Sequence, residues 1–169
     1  MGQLTVVTGR EEQIEKLTEI YKETWQSEDS FIRERILRHS NYEGYKGFIL
    51  SEGEEPVGFA YGYTSQKGQY YNELLREALA ESEQQNWLDD CFEVVELAVR
   101  PSQRNRGYGR QIMMELLKES NHKTAILTTQ VDNLTARRLY EKMDWQVVKE
   151  PFYPSDTENS YVILGKKLN

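Results

Sequence analysis

Residues 94–117 read VVELAVRPSQRNRGYGRQIMMELL, and this stretch decides the fold. Val94, Val95, Leu97 and Val99 form an apolar, mostly β-branched run that predicts a buried strand, which Pro101 ends. A polar loop over 102–110 follows, and then Ile112, Met113, Leu116 and Leu117 recur at helical spacing. A strand that passes through a basic, glycine-containing loop into a helix aims backbone N–H groups at an anion. The first turn of a helix has unpaired donors and a partial positive charge. Gly107 and Gly109 remove side chains, so a ligand can approach the backbone, and Arg104, Arg106 and Arg110 add positive charge. Gly-x-Gly before a helix also occurs as a plain tight turn. The dinucleotide fingerprint would need a third glycine where Ile112 stands, and the Gly-Lys-Ser/Thr of the Walker loop is absent.

A second segment, residues 133–145, reads NLTARRLYEKMDW. Together with Arg104-Asn105-Arg106-Gly107-Tyr108-Gly109 it resembles the GNAT N-acetyltransferases. In that family a strand precedes Arg/Gln-x-x-Gly-x-Gly/Ala and a helix, and a later helix carries Asn-x-x-Ala-x-x-Leu-Tyr-x-Lys-x-Gly-Phe/Trp. Asn133, Ala136, Leu139, Tyr140, Lys142 and Trp145 fit the second pattern, and Asp144 replaces its glycine. That position follows a helix, where a left-handed residue is usual and Asp is tolerated. The resemblance covers the C-terminal half in motif and the N-terminal half in layout.

The resemblance implies acetyl-coenzyme A as co-substrate and no metal. It places the pyrophosphate on the loop of Arg104, Asn105, Arg106, Gly107, Tyr108, Gly109 and Arg110. It pairs the pantetheine arm with backbone groups of Leu97, Ala98 and Val99, next to a bulge that splays the fourth strand from the fifth. Tyr140 then protonates the leaving thiolate, a task that suits a neutral phenol. The same tyrosine also falls at core spacing with Ala136, Leu139 and Met143. Asn133 is either an N-cap or a contact to the cofactor arm. For the base, Glu96 and Glu93 interrupt an apolar run, and a carboxylate there is either functional or at an exposed strand end. Glu96 lies nearer the cofactor residues, Glu93 is the alternative, and proton loss to water is the third reading. Family members that acetylate protein N-termini carry a glutamate on the fifth strand. Here Gln130 stands in that region, and glutamine cannot act as a base.

The chain of 169 residues is 38% hydrophobic and 29% charged, with net charge −7, and suits one domain over 1–169. No apolar run approaches a membrane span and no signal peptide is evident, so a cytoplasmic protein with no membrane partner is expected. The acidic balance argues against nonspecific nucleic-acid binding. Cys91, alone, excludes an internal disulfide and reads as a core residue; His39 and His122 show no ligand spacing. The Tyr61, Tyr63, Tyr70 and Tyr71 cluster with Phe59 reads as packing or as an aromatic acceptor wall, with Trp25 and Trp87 in other segments.

Outward from the central motif, elements alternate. Strands are predicted over 4–7, 45–51, 57–63, 125–130, 145–149 and 161–167, and helices near 29–38 and over 135–143. Thr8 and Glu11 suggest a capping box before a helix with Ile14, Leu17 and Tyr21 on its apolar face. An extra helix is predicted near 70–86, between the third and fourth strands. The alternation and the hairpin predict a single α/β domain with a mixed sheet, and the resemblance implies a GNAT-like, mostly antiparallel sheet of about seven strands flanked by helices. The function this implies is acetyl transfer to a primary amine, expected to be a small molecule, by direct attack in a ternary complex. A peptide or protein amine is the alternative, and a non-catalytic coenzyme A sensor is the second. A homodimer fits the family's habits.

Overall fold

The central stretch folds as a strand, a short turn and a helix, and the rest of the chain is built around it. This computed structural model describes residues 2–155 and 158–168. In chain order the elements are β1 (Gln3–Val6), α1 (Glu11–Trp25), α2 (Ile32–His39), β2 (Lys46–Glu52) and β3 (Glu55–Thr64). They continue with α3 (Tyr70–Ala78), α4 (Glu81–Leu88), β4 (Cys91–Val99) and α5 (Tyr108–Leu117). The last are β5 (Thr124–Gln130), α6 (Leu134–Lys142), β6 (Gln146–Phe152) and β7 (Tyr161–Lys167). The strands form one sheet in the order β1-β2-β3-β4-β5-β7-β6, with β4 parallel to β5. The chain thus forms a single α/β domain with a mostly antiparallel mixed sheet, as the alternation of its elements and the family resemblance lead one to expect. Within it, chain contacts separate two units: one up to Tyr63 plus Val94–Glu119, the other Thr64–Glu93 plus Ser120 onward.

In the first unit, β2 and β3 form an antiparallel hairpin from Lys46↔Gly62 to Glu52↔Glu55, and β1 adds to its edge. Gly53, at φ +62°, makes the reversal possible. Ile14, Leu17 and Ile20 on α1 recur every three residues and are fully buried, against Ile32 and Ile36 of α2 and Ile49, Phe59 and Tyr61 of the sheet. Each such side chain contributes roughly 1.5–3 kcal/mol through its removal from water. The capping box expected from Thr8 and Glu11 does not form. The helix begins at Glu11 itself, after Arg10, so Glu11 is too early to close the box. The buried Gln13 takes over: its Oε1 accepts from the Thr8 N–H at 2.9 Å and its Nε2 donates to the Val6 carbonyl at 3.0 Å. Where β3 meets β4, a Cβ on Gly58 would stand 2.8 Å from the Ala98 carbonyl oxygen, so only glycine permits that approach.

In the second unit, β5 pairs antiparallel with β7 from Thr124↔Lys167 to Gln130↔Tyr161, and β6 covers the far edge of β7. The parallel pairing of β4 with β5 runs from Cys91↔Thr124 to Glu93↔Ile126. Leu75, Leu79, Trp87, Leu88, Ile126, Phe152 and Ile163 form its core. The region expected to hold one extra helix holds two, α3 and α4. Leu79 is extended (φ −103°, ψ 141°) and breaks the run, and the Glu83 carboxylate accepts from the Ala80 N–H at 3.2 Å to start the second. Among the described residues, no helix is long and apolar enough to cross a membrane.

Candidate active site

Each unit contributes its own share of the motif residues. In the first, Gly107 sits at φ +79° as the N-cap of α5, and no side chain caps that helix. Open space lies where a Cβ would stand on Gly107. Asn105 is also left-handed, at φ +65°. Arg104, Asn105, Arg106 and Arg110 are exposed, while the Tyr108 ring is buried and pins the start of the helix. Arg106 meets Glu52 only at 3.7 Å between exposed side chains, a contact of little energetic worth. Uncapped donors, an absent Cβ and mobile cations make a cradle that fits a phosphate-bearing group.

One turn of β4 upstream lies Glu96. Its side chain is 15% exposed, and its Oε1 accepts from Arg35 Nη2 of α2 at 3.4 Å. The Arg35 guanidinium stands 5.4 Å above the Tyr21 ring of α1. Burial pushes the Glu96 carboxyl up to about 7, and Arg35 opposes that rise. Nearby in the same unit, His39 Nδ1 and the Tyr61 hydroxyl lie 2.8 Å apart, and the His39 ring packs 5.2 Å from Tyr63. Burial, then the charges of Arg38 and Arg35, lowers His39 to about 4, so the ring is neutral at physiological pH.

In the second unit Glu93 is 4% exposed and its Oε1 accepts from Ser65 Oγ at 3.0 Å. Asn72 Nδ2 donates to that serine oxygen at 2.8 Å, and Arg76 Nε donates to Asn72 Oδ1 at 2.7 Å. Gln84 Nε2 in turn donates to the Arg76 carbonyl at 2.8 Å. This chain of bonds runs from the strand into both inserted helices. Tyr140 of α6 is 7% exposed, and its ring lies 5.9 Å from that of Trp145. Asn133 caps α6, its Oδ1 accepting from the Ala136 N–H at 3.2 Å. Asp144 takes the left-handed conformation that its place in the motif requires, at φ +67°. Arg137 is bidentate on Glu150, at 3.0 and 2.8 Å, in a solvent-exposed ion pair. Thr128 Oγ1 pairs with the Tyr71 hydroxyl at 2.7 Å. Of the aromatic cluster, Phe59, Tyr61, Tyr63 and Trp87 are buried packing residues, whereas Trp25 and Tyr70 are exposed.

Leu97, Ala98, Val99, Glu96 and the glycine loop therefore fall in one unit; Glu93, Asn133 and Tyr140 fall in the other. Sequence reasoning did not find Arg35, Ser65, Asn72 or Arg76. A single charge on an amphipathic helix reads as solvent-facing, and a partner 61 residues away leaves no local signal.

A sequence model of the acetyltransferase (GNAT) family matches residues 12–145. No curated protein sequence matches the chain. Among solved structures, the ribosomal-protein-S18-alanine N-acetyltransferase from Escherichia coli is similar at 17% identity. It has a TM-score of 0.71, with 99% of this chain and 95% of that one covered. The PaiA N-acetyltransferase from Thermoplasma acidophilum, solved in complex with coenzyme A, is 18% identical with a TM-score of 0.66 over 98% of this chain and 99% of that one. An aminoglycoside 6′-acetyltransferase type Ii is 18% identical with a TM-score of 0.70 over 99% and 97%. At these identities the likeness is one of fold.

Proposed function

The chain belongs to the acetyltransferase (GNAT) family, and from that membership we propose that it moves the acetyl group of acetyl-coenzyme A directly to a primary amine on a small molecule. The observation that carries this reading is Glu96, a carboxylate pushed up to about 7 and set on the strand that leads into the glycine-capped helix. A base with a pKa near the working pH is well matched to taking a proton from an ammonium or an attacking amine.

When bound, acetyl-coenzyme A supplies a thioester carbonyl open to a nucleophile. Backbone N–H groups at the start of α5, with Arg104, Arg106 and Arg110, hold its phosphates. Backbone groups of Leu97, Ala98 and Val99 orient its arm. Glu96 receives the amine proton, with Glu93 as the alternative base. The amine nitrogen forms a bond to the acyl carbon, the carbon–sulfur bond breaks, and Tyr140 returns a proton to the sulfur. Asn133 is spent mainly on capping α6, which fixes the helix that carries Tyr140. Burial raises the Cys91 thiol far above its ordinary range, so it stays protonated at neutral pH and offers no nucleophile for an acyl-enzyme.

Calorimetric titration with acetyl-coenzyme A, beside 3′-dephospho-acetyl-coenzyme A and ATP, tests the reading. Micromolar, thioester-dependent binding followed by free-thiol release with amines is the expected result. Folded protein that binds none of the three would overturn it and leave Gly107-Tyr108-Gly109 as a tight turn.

A further inference from the structure

We propose that the acceptor is a zwitterion, an α- or β-amino acid, whose amine engages Glu96 while its carboxylate engages Arg35. The inference rests on the acyltransferase reading and names its substrate class. It starts from the contact between Arg35 and Glu96, a single 3.4 Å approach between side chains 33% and 15% exposed. A guanidinium has five N–H donors in a planar fork. One Glu96 carboxylate oxygen and the hydroxyl of Tyr21, whose ring lies beneath the guanidinium, do not exhaust five donors, so Arg35 retains donors for a second carboxylate.

The charges favour the same class. A bare amine arrives as an ammonium ion and places a second cation beside Arg35, with Glu96 divided between the two. That arrangement is repulsive in a partly buried setting. A carboxylate carried on the same molecule restores alternation, so four charges pair and none is left over. In an α-amino acid the nitrogen and the carboxylate carbon are two bonds apart, which lets one molecule straddle two headgroups already in contact. Arg35 comes from α2 and Glu96 from β4, both in the first unit, with Tyr21 of α1 beside them. The chemistry is the acetyl transfer already written: nitrogen–carbon bond formed, carbon–sulfur bond broken, amine proton to Glu96, and a proton to the departing sulfur.

The test uses matched acceptors: phenylalanine, phenylalaninamide and phenethylamine, then β-alanine and propylamine, each with acetyl-coenzyme A. Thiol release gives kcat/KM, and calorimetry with coenzyme A-saturated protein gives acceptor binding without turnover. The amino acids are expected to exceed their carboxylate-free partners by about tenfold or more in both readouts. Arg35→Gln is expected to bring that ratio close to one through KM, and Arg35→Lys to keep part of it, with coenzyme A affinity retained in both. Equal use of the amide or amine by the wild-type protein overturns the inference, as does a ratio that survives Arg35→Gln. Acetyl-coenzyme A binding with no amino acid bound or acetylated overturns it and leaves the cofactor reading standing. Failure to bind acetyl-coenzyme A overturns both.

Discussion

Around Glu93 the second unit arranges a chain of donors, Ser65, then Asn72, then Arg76. Around Glu96 the first unit offers a guanidinium directly, through one loose contact, and leaves the carboxylate partly reachable by solvent. The two acids are three residues apart on one strand, yet one is tied into the skeleton of two helices and the other meets Arg35 of α2, whose guanidinium also engages Tyr21. Burial alone does not make a base. A carboxylate whose acceptor capacity goes to fixed structural donors is a girder; one with a raised pKa and a displaceable partner is available for proton transfer.

Exchange of amide for acid at each position separates the two carboxylates. Glu96→Gln is expected to lower kcat by roughly 10²–10⁴, the usual contribution of a general base. If Glu93→Gln abolishes turnover and Glu96→Gln spares it in stopped thiol-release assays, the roles are reversed. Tyr140→Phe is expected to lower turnover by about 10² with unchanged acetyl-coenzyme A affinity by calorimetry. Indifference of turnover to that change would favour a sensor.

Stability sharpens the contrast. Because the folded-state carboxyl of Glu96 lies at about 7 against an ordinary 4.5, its stabilising contribution is complete below about pH 4.5 and is lost as pH rises through 7. The full span corresponds to about 3 kcal/mol, so Glu96→Gln should unfold at higher urea than the wild-type protein at pH 8 and lose that advantage near pH 5. His39 has the opposite sense. Its folded-state value near 4 lies below the ordinary 6.5, so its contribution is complete above 6.5 and fades as pH falls toward 4. On the other side of the comparison, Asn72→Ala leaves Ser65 and Arg76 without their shared partner. It should lower the unfolding free energy by about 1–3 kcal/mol in urea titration, with turnover of the folded fraction close to wild type.

The smallest effect concerns Arg35. Since its charge holds the Glu96 carboxyl down, Arg35→Gln should move the acidic limb of the kcat/KM–pH profile to higher pH, by about one unit or less. A limb that stays in place would mean that the limb does not report Glu96.

Much of the fold was legible because its punctuation is local. Gly53, Gly107 and Pro101 mark reversals and ends, and the stripe of Ile14 and Leu17 marks an inward face. Asp144 could be assigned its left-handed turn from its place after a helix. The break between α3 and α4 was not legible, because no glycine or proline stands at Leu79 or Ala80 and the start signal is the Glu83 side chain reaching back. The Thr8 box misled for the converse reason: a matching pattern stood two residues too early, and Gln13 reached back to the Thr8 N–H from inside the helix. The roles proposed for the loop and Tyr140 come from motif, whereas the partners that separate Glu93 from Glu96 come from distant segments and exist only once the sheet is assembled.

The two units are interleaved along the chain, and this has a consequence for biosynthesis. The first unit opens at the N-terminus but cannot be finished until Glu119 has been made, and by then residues 64–93 of the second have already emerged. A nascent chain therefore cannot complete one unit before starting the next, as tandem domains do. Strand β4 hands over from one unit to the other between Glu93 and Val94, so a break in the gene there would split both. Folding of this protein should be a late, concerted event dominated by contacts far apart in sequence, and correspondingly slow for its size.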